Sequence, residues 1–406
     1  MKKASFTLLL ALSLGVAWAV AAAPAKQTAR PQVGKPVEAA EQLVKQKKLK
    51  EALAKLAEAD AVPDKSPYEI YIIEATRAVV EIDSADFPAA IEAIDAVLAT
   101  GMLPPAEALQ RRASLVDLAY QTKDYPAVVT YAQRYYEAGG EETGPRLLMA
   151  QAYYLQNDFA DAARVSQAVL QDEQKSGKPP SEAVLQMLAS SDYKQQDQAG
   201  YIDAMKELVA THPKQQYWVE LLAAVRRRPG FAGRLVLDLD RLSAAVGAMD
   251  RADQYMEGAQ LALEAGLPGD AKTLLDKGYA AGVLGKGADA ARQQRLADMA
   301  KREAAGDDEG LARLAREAET AANGLFWIKL GDAYASDGRY GSAIEAYQKG
   351  IATGGLAHPD DAELHLGLAY LAAKEGEKAR ATLSAVSAAD GARDLAQLWL
   401  IESKGE

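Results

Sequence analysis

Apolar residues return along most of the chain at the three- and four-residue spacing of amphipathic helices, and short breaks carrying Gly, Pro or Asp separate the runs. This rhythm predicts an all-α protein of successive helical hairpins. One stretch, Leu235-Val236-Leu237-Asp238-Leu239-Asp240, alternates like a strand, yet Leu235, Leu239, Leu242 and Val246 also fall at i, i+4, i+7 and i+11. The helical pattern runs longer and has helical neighbours, so a helix is predicted there. Pro229-Gly230 is a break that no helix continues through, and it is the expected junction between an N-terminal half, 36–228, and a C-terminal half, 229–406.

The clearest hairpin is Trp327-Ile328-Lys329-Leu330-Gly331-Asp332-Ala333-Tyr334, followed by Gly338, Tyr340, Ala343 and Tyr347. Small residues at 331 and 343 would let two helices cross closely while Trp327, Tyr334 and Tyr347 fill the space around the crossing. This spacing resembles the tetratricopeptide-repeat (TPR) family, whose pattern is Trp, Leu-Gly, Tyr, then Ala and an aromatic. A second copy, Tyr255 to Leu284, aligns without gaps on Trp327 to Leu356, and both close on Lys-Gly-x-Ala-x-Gly-x-Leu. The copies lie about 72 residues apart, a little over two TPR periods, which leaves room for one enlarged hairpin between them. Ala288 to Ala304 and Gly310 to Ala322 fit that place.

Earlier units carry an acidic residue followed by an aromatic, at Asp86-Phe87, Asp124-Tyr125 and Asp158-Phe159, each just before a predicted second helix. Leu366-Gly367 with Tyr370 and Ala379 marks a late unit. The period of the family puts about ten hairpins between Pro36 and Val386. Arg393 to Glu402, with Leu395, Leu398 and Trp399 on one face, is expected to cap the last of them. The resemblance thus implies a right-handed α-solenoid of TPR-like hairpins with a C-terminal capping helix. The region from Trp218 to Leu263 is also similar to TPR proteins found beside TonB-type systems of Gram-negative envelopes.

The N-terminus carries an address. Lys2 and Lys3 precede an apolar run from Phe6 that ends in small residues through Ala25, the layout of a secretory signal peptide over 1–25. The polar stretch 26–35, with Pro31 and Gly34, then reads as a flexible lead-in. A formal charge of −11 together with export suggests the periplasm of a Gram-negative cell.

That same charge argues against nucleic acid, whose binders gather Lys and Arg on one face. The chain has no cysteine, which removes disulfides, thiolate metal sites and thiol catalysis. His212, His358 and His365 lack the neighbours of a zinc site, and Gly282 to Gly287 lacks the residues that complete a phosphate loop. Asp238 with Asp240, and Asp307-Asp308-Glu309, read as solvated charges or helix starts. Arg226-Arg227-Arg228 is the one basic knot, placed to complement a helix C-terminus or to meet an anionic partner. Neither a metal nor a cofactor is predicted, and no catalytic set is found.

Alignment of the units places Tyr120, Tyr154 and Tyr193 at one point late in three first helices, and in TPR proteins the first helices line the concave groove. Asp117, Gln151, Gln186 and Ser190 fall at neighbouring positions. Such a surface suits an extended peptide or a helix, and the same tyrosines would equally serve as packing between hairpins. The expected function is that of a non-enzymatic adaptor for a protein or peptide partner in the envelope, touching the membrane only indirectly. The competing expectations are a small-ligand carrier hinged at Pro229-Gly230 and an accessory to cell-wall enzymes.

Overall fold

The computed structural model describes residues 28–305 and 308–404. The expected signal peptide lies outside these residues, as does Asp307. Among the described residues there are twenty-one α-helices and no strand, as the hydrophobic spacing requires. None of these helices is long and apolar enough to cross a membrane. The described residues divide into two compact units, the first ending at Leu148 and the second beginning at Met149.

The first unit holds three hairpins: α1 (Pro31–Lys45) with α2 (Leu49–Asp60), α3 (Pro67–Asp83) with α4 (Phe87–Ala99), and α5 (Pro105–Gln121) with α6 (Tyr125–Glu137). The lead-in expected over 26–35 is helical from Pro31 onward. Proline suits a first helical position because its missing N–H would have no partner there. Val33, Val37 and Ala40 form a buried stripe that packs on Ala52, Leu56 and Ile73. Arg30 fastens the start, donating from its backbone N–H and its Nε to Glu69 Oε1 at 2.9 and 2.8 Å. Glu69 also completes a reciprocal cap with Ser66 at the head of α3. The Arg30 side chain, with the N–H of Ser66, holds the Glu69 carboxyl well below the usual range.

α7 (Thr143–Leu155) begins in the first unit and continues into the second. There follow α8 (Phe159–Lys175), α9 (Glu182–Gln195), α10 (Gln198–Thr211), α11 (Gln215–Arg227), α12 (Val236–Ala245), α13 (Ala252–Glu264) and α14 (Pro268–Ala280). The chain ends with α15 (Ala290–Ala305), α16 (Asp308–Thr320), α17 (Leu325–Ser336), α18 (Tyr340–Thr353), α19 (Pro359–Ala372), α20 (Gly376–Ala385) and α21 (Ala392–Glu402). Taken in order, α1 to α20 make ten pairs and α21 is left over, matching the count from the repeat period. The stretch that alternates like a strand is helical, entered through a short 3-10 turn at Gly233–Leu235.

The repeated acidic–aromatic pair has a local cause. Asp86, Asp124 and Asp158 each accept a hydrogen bond from the backbone N–H three residues on, at 3.3, 3.1 and 3.3 Å. Asp197 does the same before α10 at 3.0 Å. Each caps its helix, and each follows a residue in the left-handed region: Ala85, Lys123, Asn157 and Gln196. A sharp hairpin turn followed by a capped helix start is therefore built four times from similar sequence.

Close crossing also follows the expected rule. A methyl group added at Gly331 would stand 2.5 Å from the ring of Tyr347, and one at Gly367 would stand 2.5 Å from Leu383. Gly331→Ala should cost about 1–3 kcal/mol, the usual result of overpacking a tight crossing. The check is the urea midpoint of the variant, and an unchanged midpoint would refute the tight crossing.

Within the second unit the chain returns on itself. α21 covers α19 and α20 as a cap should, and it also packs on α10 and α12. Lys206 on α10 reaches Asp394 and Gln397 on α21, both at 2.9 Å. Arg228 lies 3.0 Å from Asp394, and Arg234 pairs with Asp361 at 2.6 Å and with Asp390 at 2.5 Å. The backbone N–H of Ala232 donates to Asp390 O at 2.7 Å. Pro229-Gly230, expected as the junction between halves, thus sits inside the second unit. Its neighbours are fastened to the C-terminal segment, and the division between the two compact units falls at Leu148 and Met149 within α7.

Candidate functional site

The tyrosines that share a repeat position have unequal surroundings. In the first unit, Tyr120 is half-buried and its ring lies 6.1 Å from that of Tyr125 across the hairpin turn. Asp117 nearby is half-buried, and burial, with Glu142, raises its carboxyl pKa. In the second unit, Tyr154 meets Phe159 edge-on at 5.1 Å and packs against the apolar cluster of Ala150, Val165 and Met187. Gln151, one turn earlier, is half-buried. Tyr154 is thereby partly a packing residue.

Tyr193 differs. Its side chain is 59% exposed, with its ring tilted against Tyr201 at 5.7 Å. These two rings, with Lys194, Asp197, Gln198 and Arg227, surround a hollow of about 440 Å3. Ser190 is half-buried on the same helix. Gln186, also on α9, is drawn away into a polar cluster in which it bonds Tyr217 while Glu182 takes Lys214 and Tyr217. The structure therefore places Gln186, Ser190 and Tyr193 on α9 and Gln151 with Tyr154 on α7, while only Tyr193 stands out into solvent.

A second feature was not foreseen. Asp238 and Asp240, read as solvated charges or helix starts, are only 3% and 4% exposed, although Asp238 does stand in the first turn of α12. Asp238 Oδ1 accepts from Arg241 at 2.6 Å and lies 3.2 Å from His365 Nε2. His365 Nδ1 is 2.7 Å from Asp332 Oδ1, which also accepts from the Tyr347 hydroxyl at 2.8 Å. Arg241 extends the chain of contacts to Asp270 at 2.5 Å. Burial would lower the pKa of His365, but Asp332 and Asp238 outweigh it and raise the value well above 6.5, and the two carboxylates at its ring nitrogens favour the imidazolium form. Asp240 stands apart from this network, 3.6 Å from Arg226, and burial pushes its pKa up to about 6.

This network lines a cavity of about 550 Å3 bounded by α12, α14, α17, α18, α19 and α21. An imidazolium with both N–H groups directed at carboxylates has no lone pair with which to take a proton. The geometry suits a structural clasp better than a general base. Among the described residues no group of His, Asp and Glu is arranged to hold a metal ion.

The basic knot is divided among three tasks. Arg226 faces Asp240 and Arg228 faces Asp394, both anions of the same unit, whereas Arg227 points to the hollow beside Tyr193. Gly282, Gly285 and Gly287 all adopt positive φ in the turn after α14, as a turn reading of that glycine-rich stretch requires.

No family model matches the chain, and no curated protein matches it. Among solved structures it is similar to the TPR2AB domain of yeast Sti1 in complex with pHSP90, at 12% identity and a TM-score of 0.26, covering 73% of this chain and 99% of that one. It is similar to the TPR domain of P58(IPK) at 14% identity and a TM-score of 0.27, covering 85% and 99%. A tetratricopeptide repeat protein from Parabacteroides merdae aligns at 13% identity and a TM-score of 0.20, covering 82% and 99%. The architecture is displayed by the chain's own elements: paired helices, capped turns, and Gly331 locked against Tyr347 make it an all-α solenoid of TPR-like helical hairpins.

Proposed function

We propose that the protein is an exported, non-enzymatic scaffold of the Gram-negative periplasm that holds a partner protein of an envelope complex. Outer-membrane assembly, secretion and TonB-type transport are the processes such a scaffold would serve. The observation that carries this reading is Tyr193, a large amphipathic side chain left exposed over a hollow in a helical-hairpin framework. Exposed aromatic side chains with a nearby cation are the groups from which protein-binding hot spots are made. The negative charge and the signal layout support the location.

Photo-crosslinking in cells tests the reading. A photoreactive residue in place of Tyr193 should yield a covalent adduct with one envelope protein, while the same residue in place of Lys374, in the turn before α20, should not. Fractionation of the same cells should release the protein with the periplasm. Adducts absent at 193, or the chain retained whole in the inner membrane, would contradict the proposal.

A small-ligand carrier is the second reading, favoured by the charged cavity around His365. Native mass spectrometry of the purified protein would show a bound small molecule if it is correct.

A further inference from the structure

We propose that the cavity beside His365 is a binding site for a small organic cation, an alkylammonium with a short apolar body; this rests on the small-ligand reading of the cavity and adds the chemistry of what is held. At about 550 Å3 the space has the size of a small-molecule site. Its walls come from helices of the second unit and combine carboxylates, aromatic rings and aliphatic side chains.

The charges around it do not cancel. Arg241 and His365 stand among Asp238, Asp270 and Asp332, so two cations meet three carboxylates. Lys277 and Glu402, the other charged residues lining the cavity, add one charge of each sign. The excess is one negative charge. It would be two with a neutral His365 ring, so its sign does not depend on that proton. An uncompensated charge held away from water is costly, and a bound counter-charge removes the cost.

The excess also has a place. Asp332 receives the His365 ring and the Tyr347 hydroxyl at one oxygen, Oδ1, and Asp270 receives Arg241 at Oδ2 alone. Among the described residues, Asp332 Oδ2 and Asp270 Oδ1 accept no hydrogen bond, and both side chains line the cavity with 22% of their surface exposed. Carboxylate oxygens with spare lone pairs suit the N–H donors of a primary ammonium. Trp399 and Tyr340 line the same cavity, and aromatic faces attract a cation. Leu368, Leu371 and Ala372 give an alkyl chain apolar surface to cover. An anion would find the donors of Arg241 and His365 taken by carboxylates and Lys277 turned to Ala244 O at 3.1 Å.

The test is isothermal titration calorimetry on the full mature chain with three probes of equal chain length, pentylamine, pentanol and pentanoate, and with calcium chloride as a fourth. At neutral pH pentylamine should bind about tenfold or more tighter than pentanol, the gain expected of charge-assisted hydrogen bonds, while pentanoate and calcium should not bind. Asp270→Asn, which keeps the shape and removes the excess charge, should weaken pentylamine about tenfold and leave pentanol unchanged. Asp298→Asn, the same change on exposed α15, should leave both unchanged. Circular dichroism should show both variants folded, and the comparison of probes on the wild-type protein decides by itself if Asp270→Asn does not fold.

Equal affinity for pentylamine and pentanol, a preference for pentanoate or calcium, or equal weakening by Asp298→Asn would each overturn the proposal. Native mass spectrometry separates the two readings. If a small molecule is retained while pentylamine gains nothing over pentanol, the organic-cation inference fails alone; if nothing is retained and no probe binds, the small-ligand reading fails with it.

Discussion

Replacing Asp394 by alanine is expected to release the C-terminal helix from α10 and α12. Asp394 is 4% exposed and sits between Lys206 at 2.9 Å and Arg228 at 3.0 Å, two cations themselves mostly buried. Removing one partner of a buried ion pair leaves the other charge desolvated without compensation, typically at a cost of about 3–5 kcal/mol. Here two cations lose their buried carboxylate together, while Lys206 keeps Gln397 at 2.9 Å, Arg228 keeps Ala389 O at 2.7 Å and the apolar contacts of Leu395 and Leu398 remain. The loss should therefore be local to the seam. Hydrogen exchange is the measurement: amides of α21 should lose protection in Asp394→Ala while those of α13, α14, α17 and α18 keep theirs. Unchanged protection in α21 would mean that apolar packing alone holds the closure.

The second large effect is expected at His365. Its pKa is raised in the folded protein, so its contribution to stability is fully present below about 6.5, the value in the unfolded chain, and is lost as pH rises through the folded value. Asp238 works from the other side. Burial would raise its pKa, but His365 and Arg241 bring it down to about 2. Its contribution is present above the usual 3.8 and fades as pH falls toward about 2. The clasp is accordingly complete between these limits. His365→Gln, which keeps a hydrogen-bonding side chain without the charge, should destabilise the protein by about 3–5 kcal/mol near pH 6. The gap between wild type and variant should shrink as the solution is made alkaline and the wild-type ring loses its proton. Taking the difference between the two proteins cancels the background titration, including that of Asp240. A gap that stays constant from mildly acidic to alkaline pH would show that His365 is not charged in the fold.

These two sites mark the limit of what could be read along the chain. The crossing of Gly331 with Tyr347 was legible because both residues lie in one hairpin, where small and large must alternate. The acidic–aromatic pairs were legible as punctuation, though their capping bonds appear only in three dimensions. Helix α1 was half missed because Lys26 to Lys35 is polar overall, yet Val33, Val37 and Ala40 already stood at i, i+4 and i+7. Asp238 pairs with a residue 127 positions away, and Asp394 with one 188 positions away. No periodicity announces such partners. The nearest local signal was Arg241, one turn beyond Asp238 on the same face. The tyrosine row shows the converse limit: repeat register placed Tyr120, Tyr154 and Tyr193 as equivalents, but the side chains around each decide which is packed and which is free.

That difference supplies the most direct test of the account, in which the protein acts by binding a partner through an exposed aromatic rather than by chemistry. The measurement is the affinity of Tyr193→Ala for the partner identified by crosslinking, taken together with the melting temperature of the variant. The account predicts a loss of about 1–3 kcal/mol in binding, the range of an aromatic anchor, with the melting temperature unchanged because Tyr193 supports little packing. Full affinity in Tyr193→Ala, with a lowered melting temperature, would contradict it.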